Sequence, residues 1–240
     1  MNQMNTFLKD RYDMKTFNHV DLSSFDKDFN LPEVTTQTIK GKRFYITPEG
    51  NKYPSITTVL SDRNKDGIVK WRQSVGNDVA NQIMRSAASR GTALHTLVEN
   101  YLNNEELSKQ DVLPVALFTI LKPELDKINN IVLQEGGLYS DKWRVAGRVD
   151  CIAEYEGKLS VIDFKTSSKE KKEEWVENYF IQGAAYCEMY EERFKGKIDQ
   201  VVILIVTEDG ATQTFIKDKK DYLPLLEPAI KEFNEKFKIN

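Results

Sequence analysis

The chain has 240 residues, of which 40% are hydrophobic and 30% are charged, so it can bury one good core, and one main domain is expected. Its formal net charge of -3 excludes a general basic surface for nucleic acid, so phosphate binding must be local. No apolar run approaches the roughly 18 residues of a membrane span, and the first residues lack a signal or transit composition. We therefore expect a soluble cytoplasmic protein without a membrane partner.

The first third of the chain is predicted to pass from an irregular arm to helices. Residues 1–40 show no sustained period. Residues 42–60 alternate apolar and polar side chains around the sequence PEGN, which predicts a hairpin, and Ser61 or Asp62 can then cap a helical region. Helical spacing continues to about residue 130, and a break at Gly91 predicts two helices that meet there.

From residue 131 the hydrophobic period changes to that of strands. The segments IVLQEGGLY, RVAGRVDCIAEY and KLSVIDFKT predict three successive strands in an antiparallel meander. A helix over about 173–194, the buried strand VVILIV, the edge strand TQTFIKD and an amphipathic C-terminal helix follow. This order predicts an α/β fold with a mixed central sheet flanked by helices.

Three charged residues in the meander point to metal chemistry. Asp163 and Lys165 are two residues apart in a strand and so share a face, and the short turn after the preceding strand brings Asp150 near Asp163. Two carboxylates can share a hard cation such as Mg²⁺ or Mn²⁺. Taken singly, these residues can equally be a strand-end ion pair and a turn residue. Together they favour a metal site, because clustered carboxylates without a cation repel one another.

Residues on two helices could complete this site. His95 and Glu99 share a helix face, and an imidazole aimed at the carboxylates would add a nitrogen ligand, although a single helical histidine is more often structural. Gln182 and Tyr186 share a face of the helix after the lysine strand and could hold a water or a phosphate oxygen. Packing alone could also explain Tyr186.

Basic and aromatic residues suggest a local path for nucleic acid. They could follow a phosphate backbone and stack bases, although each could also belong to a solvated loop or an ordinary helical layer. The helices of residues 61–130 would then roof the catalytic face, a channel for a flexible single strand. The residues are Lys169, Lys171 and Lys172 in a loop, and Lys70, Trp71, Arg72, Arg85 and Arg90 in the helices.

The segments RGTALH, GRVD, DFK and QGAAY, in this order, resemble the PD-(D/E)XK nuclease superfamily in its RecB-like branch. Residues 53–207 are most similar to the mitochondrial genome maintenance exonuclease family. The resemblance implies a restriction-endonuclease-like core in a nuclease domain of residues 41–240. That domain would comprise a helical elaboration (61–130), a catalytic core (131–207), and an edge strand with a C-terminal helix (208–240).

The resemblance also implies roles for individual residues. His95, Asp150, Asp163 and the backbone carbonyl of Phe164 would bind Mg²⁺ or Mn²⁺, and Lys165 would be the catalytic lysine. Gln182 and Tyr186 would form the supporting helix motif. Glu135 would match an acidic residue that some members place before the meander, and Glu99 is a further candidate at the site.

The resemblance implies an exonuclease that degrades single-stranded DNA from a free end. Two alternatives stay open: an endonuclease of the same superfamily that cuts duplexes or branched DNA, and a non-catalytic DNA-binding or scaffolding module. Without a transit composition we expect a bacterial or bacteriophage protein of replication, recombination or repair, whose protein partners are unknown. The two cysteines, Cys151 and Cys187, are too few for the four-cysteine iron–sulfur clamp of some relatives, so no iron–sulfur cluster is expected.

Overall fold

Two β-sheets and six α-helices form the part of the chain that the computed structural model describes, residues 15–22, 31–194 and 196–238. The strands are β1 (Thr35–Ile39), β2 (Lys42–Ile46), β3 (Lys52–Pro54), β4 (Ile128–Ser140), β5 (Val145–Tyr155), β6 (Lys158–Ser167), β7 (Gln200–Thr207) and β8 (Thr212–Asp218). The helices are α1 (Ile56–Arg63), α2 (Lys65–Val75), α3 (Asn77–Leu102), α4 (Val112–Leu125), α5 (Glu177–Arg193) and α6 (Leu223–Phe237).

The larger sheet has the strand order β4-β5-β6-β7-β8. Strands β4, β5 and β6 form the predicted antiparallel meander, β6 pairs with β7 in parallel, and β8 is the antiparallel edge strand. A parallel pair needs a long crossover connection, and α5 supplies it. The mixed α/β fold predicted from the sequence is therefore confirmed.

Helices cover both faces of this sheet. On one face Val161 and Ile203 lie in a core cluster with residues of α1, α5 and α6. On the other face Ile162 and Leu204 lie in a second cluster with residues of α3 and α4. Successive strand residues therefore enter different cores, because side chains alternate between the faces of a strand. No helix within the described ranges is long and apolar enough to cross a membrane.

Three local predictions are wrong. Strand β1 lies within the arm predicted to be irregular, where residues 1–14 and 23–30 fall outside the described part. Helix α1 starts at Ile56: its N-cap position is Ser55, whose side chain makes no capping hydrogen bond, and Ser61 and Asp62 lie inside the helix. Gly91 lies inside the single helix α3: a glycine costs roughly 1 kcal/mol in a helix interior, less than the burial of the α3 residues Leu94, Leu97 and Val98 gains.

The predicted hairpin is confirmed, and it packs on the end of the meander. Strands β2 and β3 are antiparallel, and the Tyr53 hydroxyl donates a 2.6 Å hydrogen bond to Asp141 Oδ1. The N-terminal segment is also docked: Val20 N–H donates to the Ile131 carbonyl at 2.7 Å, and the Phe17 ring packs edge-on against Tyr101. Both segments thus support the first strand of the meander.

Candidate active site

The site forms where β5 and β6 separate, an opening in the sheet that we call the fork. Their pairing ends at Cys151 and Ile162, so Asp150 and Asp163 are the first residues beyond the ladder. Asp150 Oδ2 accepts a 3.0 Å hydrogen bond from Phe164 N–H, replacing the missing strand partner. The Phe164 carbonyl lies 2.9 Å from His95 Nε2. The backbone of Phe164 therefore fixes the Asp150 carboxylate and the His95 imidazole at this opening.

His95, Glu135 and Asp150 form a cluster of candidate metal ligands, which we call the HED cluster. His95 Nδ1 lies 3.6 Å from Glu135 Oε1 and 3.8 Å from Asp150 Oδ2, and one ligand atom from each residue lies within 4.8 Å of the other two. Because a carbonyl can only accept, Nε2–H donates to Phe164, which leaves Nδ1 facing the carboxylates. Two carboxylates and an imidazole are a donor set that fits Mn²⁺ or Mg²⁺.

The pKa of His95 reflects the two carboxylates that face it. Burial lowers the pKa of His95, but the Glu135 hydrogen bond and the Asp150 charge outweigh burial and raise it to about 9. Without a cation the imidazolium therefore balances the carboxylates at neutral pH. A metal ion that binds Nδ1 has to displace this proton, as is general for histidine ligands.

Glu135 reaches the cluster through an irregularity in β4. The register of β4 against β5 shifts between Asn129 and Leu133, after which Gln134 and Gly136 pair with residues on either side of Asp150. Glu135 therefore lies opposite Asp150, and its φ of 45° is left-handed. Non-glycine residues in this region cost roughly 1–3 kcal/mol and cluster at functional sites.

Asp163, Lys165 and Gln182 form a second group on the α5 side of the fork. Asp163 is 2% exposed, accepts a 3.0 Å hydrogen bond from Gln182 Nε2 and forms an ion pair with Lys165. Burial raises the pKa of Asp163, while Lys165 acts to lower it. Burial acts to lower the pKa of Lys165, but the Asp163 and Asp150 charges raise it. Lys165 is therefore a cation in this arrangement.

Two tyrosines of α5 have different surroundings. The buried Tyr186 hydroxyl donates to the Arg148 carbonyl at 2.8 Å, and a Cβ at Gly147 would lie 2.5 Å from it, so Tyr186 supports β5 two residues before Asp150. Tyr179, which the sequence analysis did not single out, lies beneath Lys165, with Nζ 5.1 Å from its ring centroid. Its position three residues before Gln182, on the same helix face, was the available signal.

An open cleft of about 320 Å³ leads to the HED cluster. It is lined by Gly91, Thr92, His95, Thr96, Glu99 and Glu135. Glu99 thus lines the approach and does not belong to the cluster; burial and the neighbouring Glu135 charge raise its pKa. A Cβ at Gly91 would meet a single atom, Thr166 Oγ1 at 4.0 Å, so a larger residue would fit at this position of the cleft wall.

The candidate DNA-contacting residues differ in how exposed their side chains are and in whether they are already paired. The side chain of Arg90 is 13% exposed and ion-paired with Glu208, and Arg72 donates a 2.7 Å hydrogen bond to Asn81. Trp71 and Lys171 are half-buried. The exposed members of the set are Lys70, Arg85, Lys169 and Lys172.

Comparison with known proteins gives a consistent picture. A PD-(D/E)XK nuclease superfamily profile matches residues 105–238. Mitochondrial genome maintenance exonuclease 1 of Homo sapiens is 25% identical over 182 residues, 69% of this chain and 52% of the relative. The Mus musculus protein is 24% identical over 181 residues, 69% of this chain and 53% of the relative. The chain spans about half the length of these curated relatives.

A solved structure from Eubacterium rectale, provisionally described as an exonuclease, aligns with a TM-score of 0.44 and 15% identity, covering 62% of this chain and 67% of that one. The superfamily profile covers more than half of the chain, from before α4 to the last turn of α6, and includes Glu135, Asp150, Asp163, Lys165 and Gln182, while His95 precedes the matched range. The chain belongs to the PD-(D/E)XK nuclease superfamily.

Proposed function

We propose that this protein is a divalent-metal-dependent DNA exonuclease that degrades single-stranded DNA from a free end. The observation that carries the proposal is the pairing of the HED cluster with the Asp163–Lys165 group across one fork in the sheet. One side offers ligands for a cation, and the other offers a cationic side chain at the same opening. Phosphodiester hydrolysis needs both functions, because negative charge grows on the phosphate oxygens.

The residues that would hold Mg²⁺ or Mn²⁺ are His95, Glu135 and Asp150. Of the other ligands expected from the sequence, Asp163 lies in the group with Lys165, and the Phe164 carbonyl accepts from His95 Nε2–H. When bound, the ion supplies Lewis acidity toward a phosphate oxygen and promotes deprotonation of a water. The Phe164 carbonyl orients His95, and Phe164 N–H orients Asp150. Phe164 thus orients both His95 and Asp150 through its backbone, as groups behind metal ligands commonly do.

Lys165 would act on the reacting phosphate. Its side chain is 22% exposed, and its ammonium contacts the Asp163 carboxylate and the Tyr179 ring. Gln182 anchors Asp163 and so fixes the lysine indirectly. This arrangement stabilises charge that develops in the transition state, so it favours rate over affinity.

The preference for single strands is supported by helices α2 and α3. Residues 65–90 carry five lysines and arginines against two aspartates, a net charge of +3 in a chain of -3. They also leave Ile68, Val69, Ile83 and Met84 exposed. Positive charge with exposed apolar surface suits a flexible strand whose bases are unpaired. A bacterial or bacteriophage setting and a role in replication, recombination or repair are part of the same proposal.

The test compares a linear oligonucleotide with its circularised form, in Mg²⁺ and in Mn²⁺, with Asp163→Asn as the inactive control. We expect rapid loss of the linear strand, slow attack on blunt duplex and no attack on the circle. Equal cleavage of circle and linear strand would favour the endonuclease of the same superfamily. Binding without cleavage of any substrate would favour the non-catalytic module.

A further inference from the structure

Trp175 lies on the surface next to the proposed site. It is 60% exposed and is the one aromatic side chain among the exposed large apolar residues of the described ranges. It ends a short 3₁₀ turn (Glu173–Trp175) between β6 and α5, and the following Val176 is buried and anchors the turn. The indole is therefore presented to solvent from a fixed backbone.

The turn places Trp175 close to Lys165. Hydrogen bonds from Val176 N–H to the Glu173 carbonyl and from Tyr179 N–H to the Val176 carbonyl join the turn to α5. A rise of roughly 1.5–2 Å per residue puts the Trp175 backbone about 6–8 Å along the helix from Tyr179. Tyr179 in turn contacts Lys165, with Nζ 5.1 Å from its ring centroid, so Trp175 precedes on the same segment a neighbour of the proposed catalytic lysine.

A polar pocket of about 380 Å³ adjoins the indole, within the size range of small-ligand sites. Arg63 crosses it, donating to Asn178 Oδ1 at 2.7 Å and pairing with Glu177 at 3.3 Å. Amide groups of this kind can hydrogen-bond to the edge of a base. The lining residues are Arg63, Asn64, Glu174, Trp175, Glu177 and Asn178.

The charges around Trp175 favour a base over a phosphate in this pocket. Glu174 and Glu177 line it together with one cation, Arg63, which pairs with Glu177, so the lining carries a net charge of -1 that disfavours a phosphate. Lys172 is exposed, and its Nζ lies 5.4 Å from the indole centroid. If a base occupies the pocket and its phosphate lies toward Lys172, the phosphate meets a cation and avoids the two glutamates.

We propose that Trp175 stacks on an unpaired base of the single-stranded substrate, with Lys172 at the adjoining phosphate. This inference rests on the proposed function, because it assigns a substrate contact to the same site. Aromatic stacking is tolerant of sequence, so the contact secures the strand without reading it. Its contribution is made equally in ground and transition states, so it acts on affinity and not on the chemical step.

Binding is measured with the 240-residue chain carrying Asp163→Asn, to prevent cleavage, and a labelled oligothymidine. Trp175→Ala is expected to weaken binding about tenfold, within the range that one stacked base supplies, and Trp175→Phe to retain most of the affinity. Val112→Ala, which truncates another exposed apolar side chain, is the matched control and should change affinity less than about twofold. Equal affinity of Trp175→Ala and the control would overturn the proposal.

A walk of single abasic positions along the oligonucleotide identifies the contact. With Trp175 present, one position should lose about tenfold in affinity, and in Trp175→Ala that loss should disappear, since the two changes remove the same interaction. Identical walks for both proteins would contradict stacking. Single-turnover cleavage by Trp175→Ala at saturating DNA should match wild type. If wild type cleaves no DNA, the proposed function fails, whereas cleavage with unchanged binding by Trp175→Ala defeats the stacking proposal alone.

Discussion

Replacing Asp163 by asparagine removes the carboxylate that pairs with Lys165 but leaves a carbonyl oxygen for the Gln182 amide. Removing one partner of a buried ion pair costs about 3–5 kcal/mol. The Lys165 side chain is 22% exposed, and Asp150 also raises its pKa, so the ammonium keeps some solvent and a second carboxylate. We therefore expect Asp163→Asn to lower the free energy of unfolding by about 2 kcal/mol, below that range.

A double-mutant cycle isolates the ion pair. Lys165→Met keeps the length of the side chain and leaves the Asp163 carboxylate without its counter-charge, so it should destabilise by a similar amount. The double variant should cost at least about 1 kcal/mol less than the sum of the two single variants. Urea unfolding in EDTA measures all four proteins, and cleavage of linear single-stranded DNA in Mg²⁺ should be lost in the three variants.

Two outcomes would refute this reasoning. Additive destabilisation within about 0.5 kcal/mol would show that Asp163 and Lys165 do not interact in solution. Full cleavage activity of Asp163→Asn would remove that carboxylate from the catalytic group, whatever its effect on stability.

Three further predictions test the metal cluster, the core and the basic loop. Mn²⁺ at about 100 times its Kd should stabilise the wild type by about 2.7 kcal/mol, and a thermal shift assay should find this gain lost in Asp150→Asn; an undiminished shift would exclude Asp150 as a ligand. Gly183→Ala should cost about 1–3 kcal/mol by calorimetry, because its Cβ would lie 2.2 Å from Val201 Cγ1, and an unchanged Tm would contradict this close approach of α5 to β7. Alanine substitutions in the basic loop, at Lys169, Lys171 and Lys172, should reduce the slope of log affinity for single-stranded DNA against log salt concentration by about 2, at roughly 0.7 per phosphate contact. An unchanged slope would exclude that loop from the DNA path.

Local patterns in the sequence were sufficient for the meander and for the shared face of Asp163 and Lys165. Side-chain alternation in a strand is a property of the backbone, so two residues at spacing two share a face in any sheet. The continuous apolar run of β7 likewise indicates a strand covered on both faces. The ordered motifs were also sufficient for the superfamily, which the profile match confirms.

The tertiary structure decided the features that depend on distant packing. Gly91 is a helix breaker by local preference, but burial of the α3 face against the sheet outweighs its cost. Tyr186 shares a helix face with Gln182, yet its hydroxyl is committed to β5. Local spacing shows which residues share a face, but it does not show what that face meets.

The composition of the HED cluster shows most clearly what the sequence determined and what the tertiary structure decided. The sequence indicated Asp150 by its charged strand motif and His95 by a helix that can face it, and the family resemblance added Glu135 as a further candidate. Glu135 joins them through a register shift in β4 and a left-handed backbone, and Asp163 instead pairs with Lys165. A register shift follows from the packing of whole strands, which no short segment determines, whereas alternation follows from the chain's own geometry.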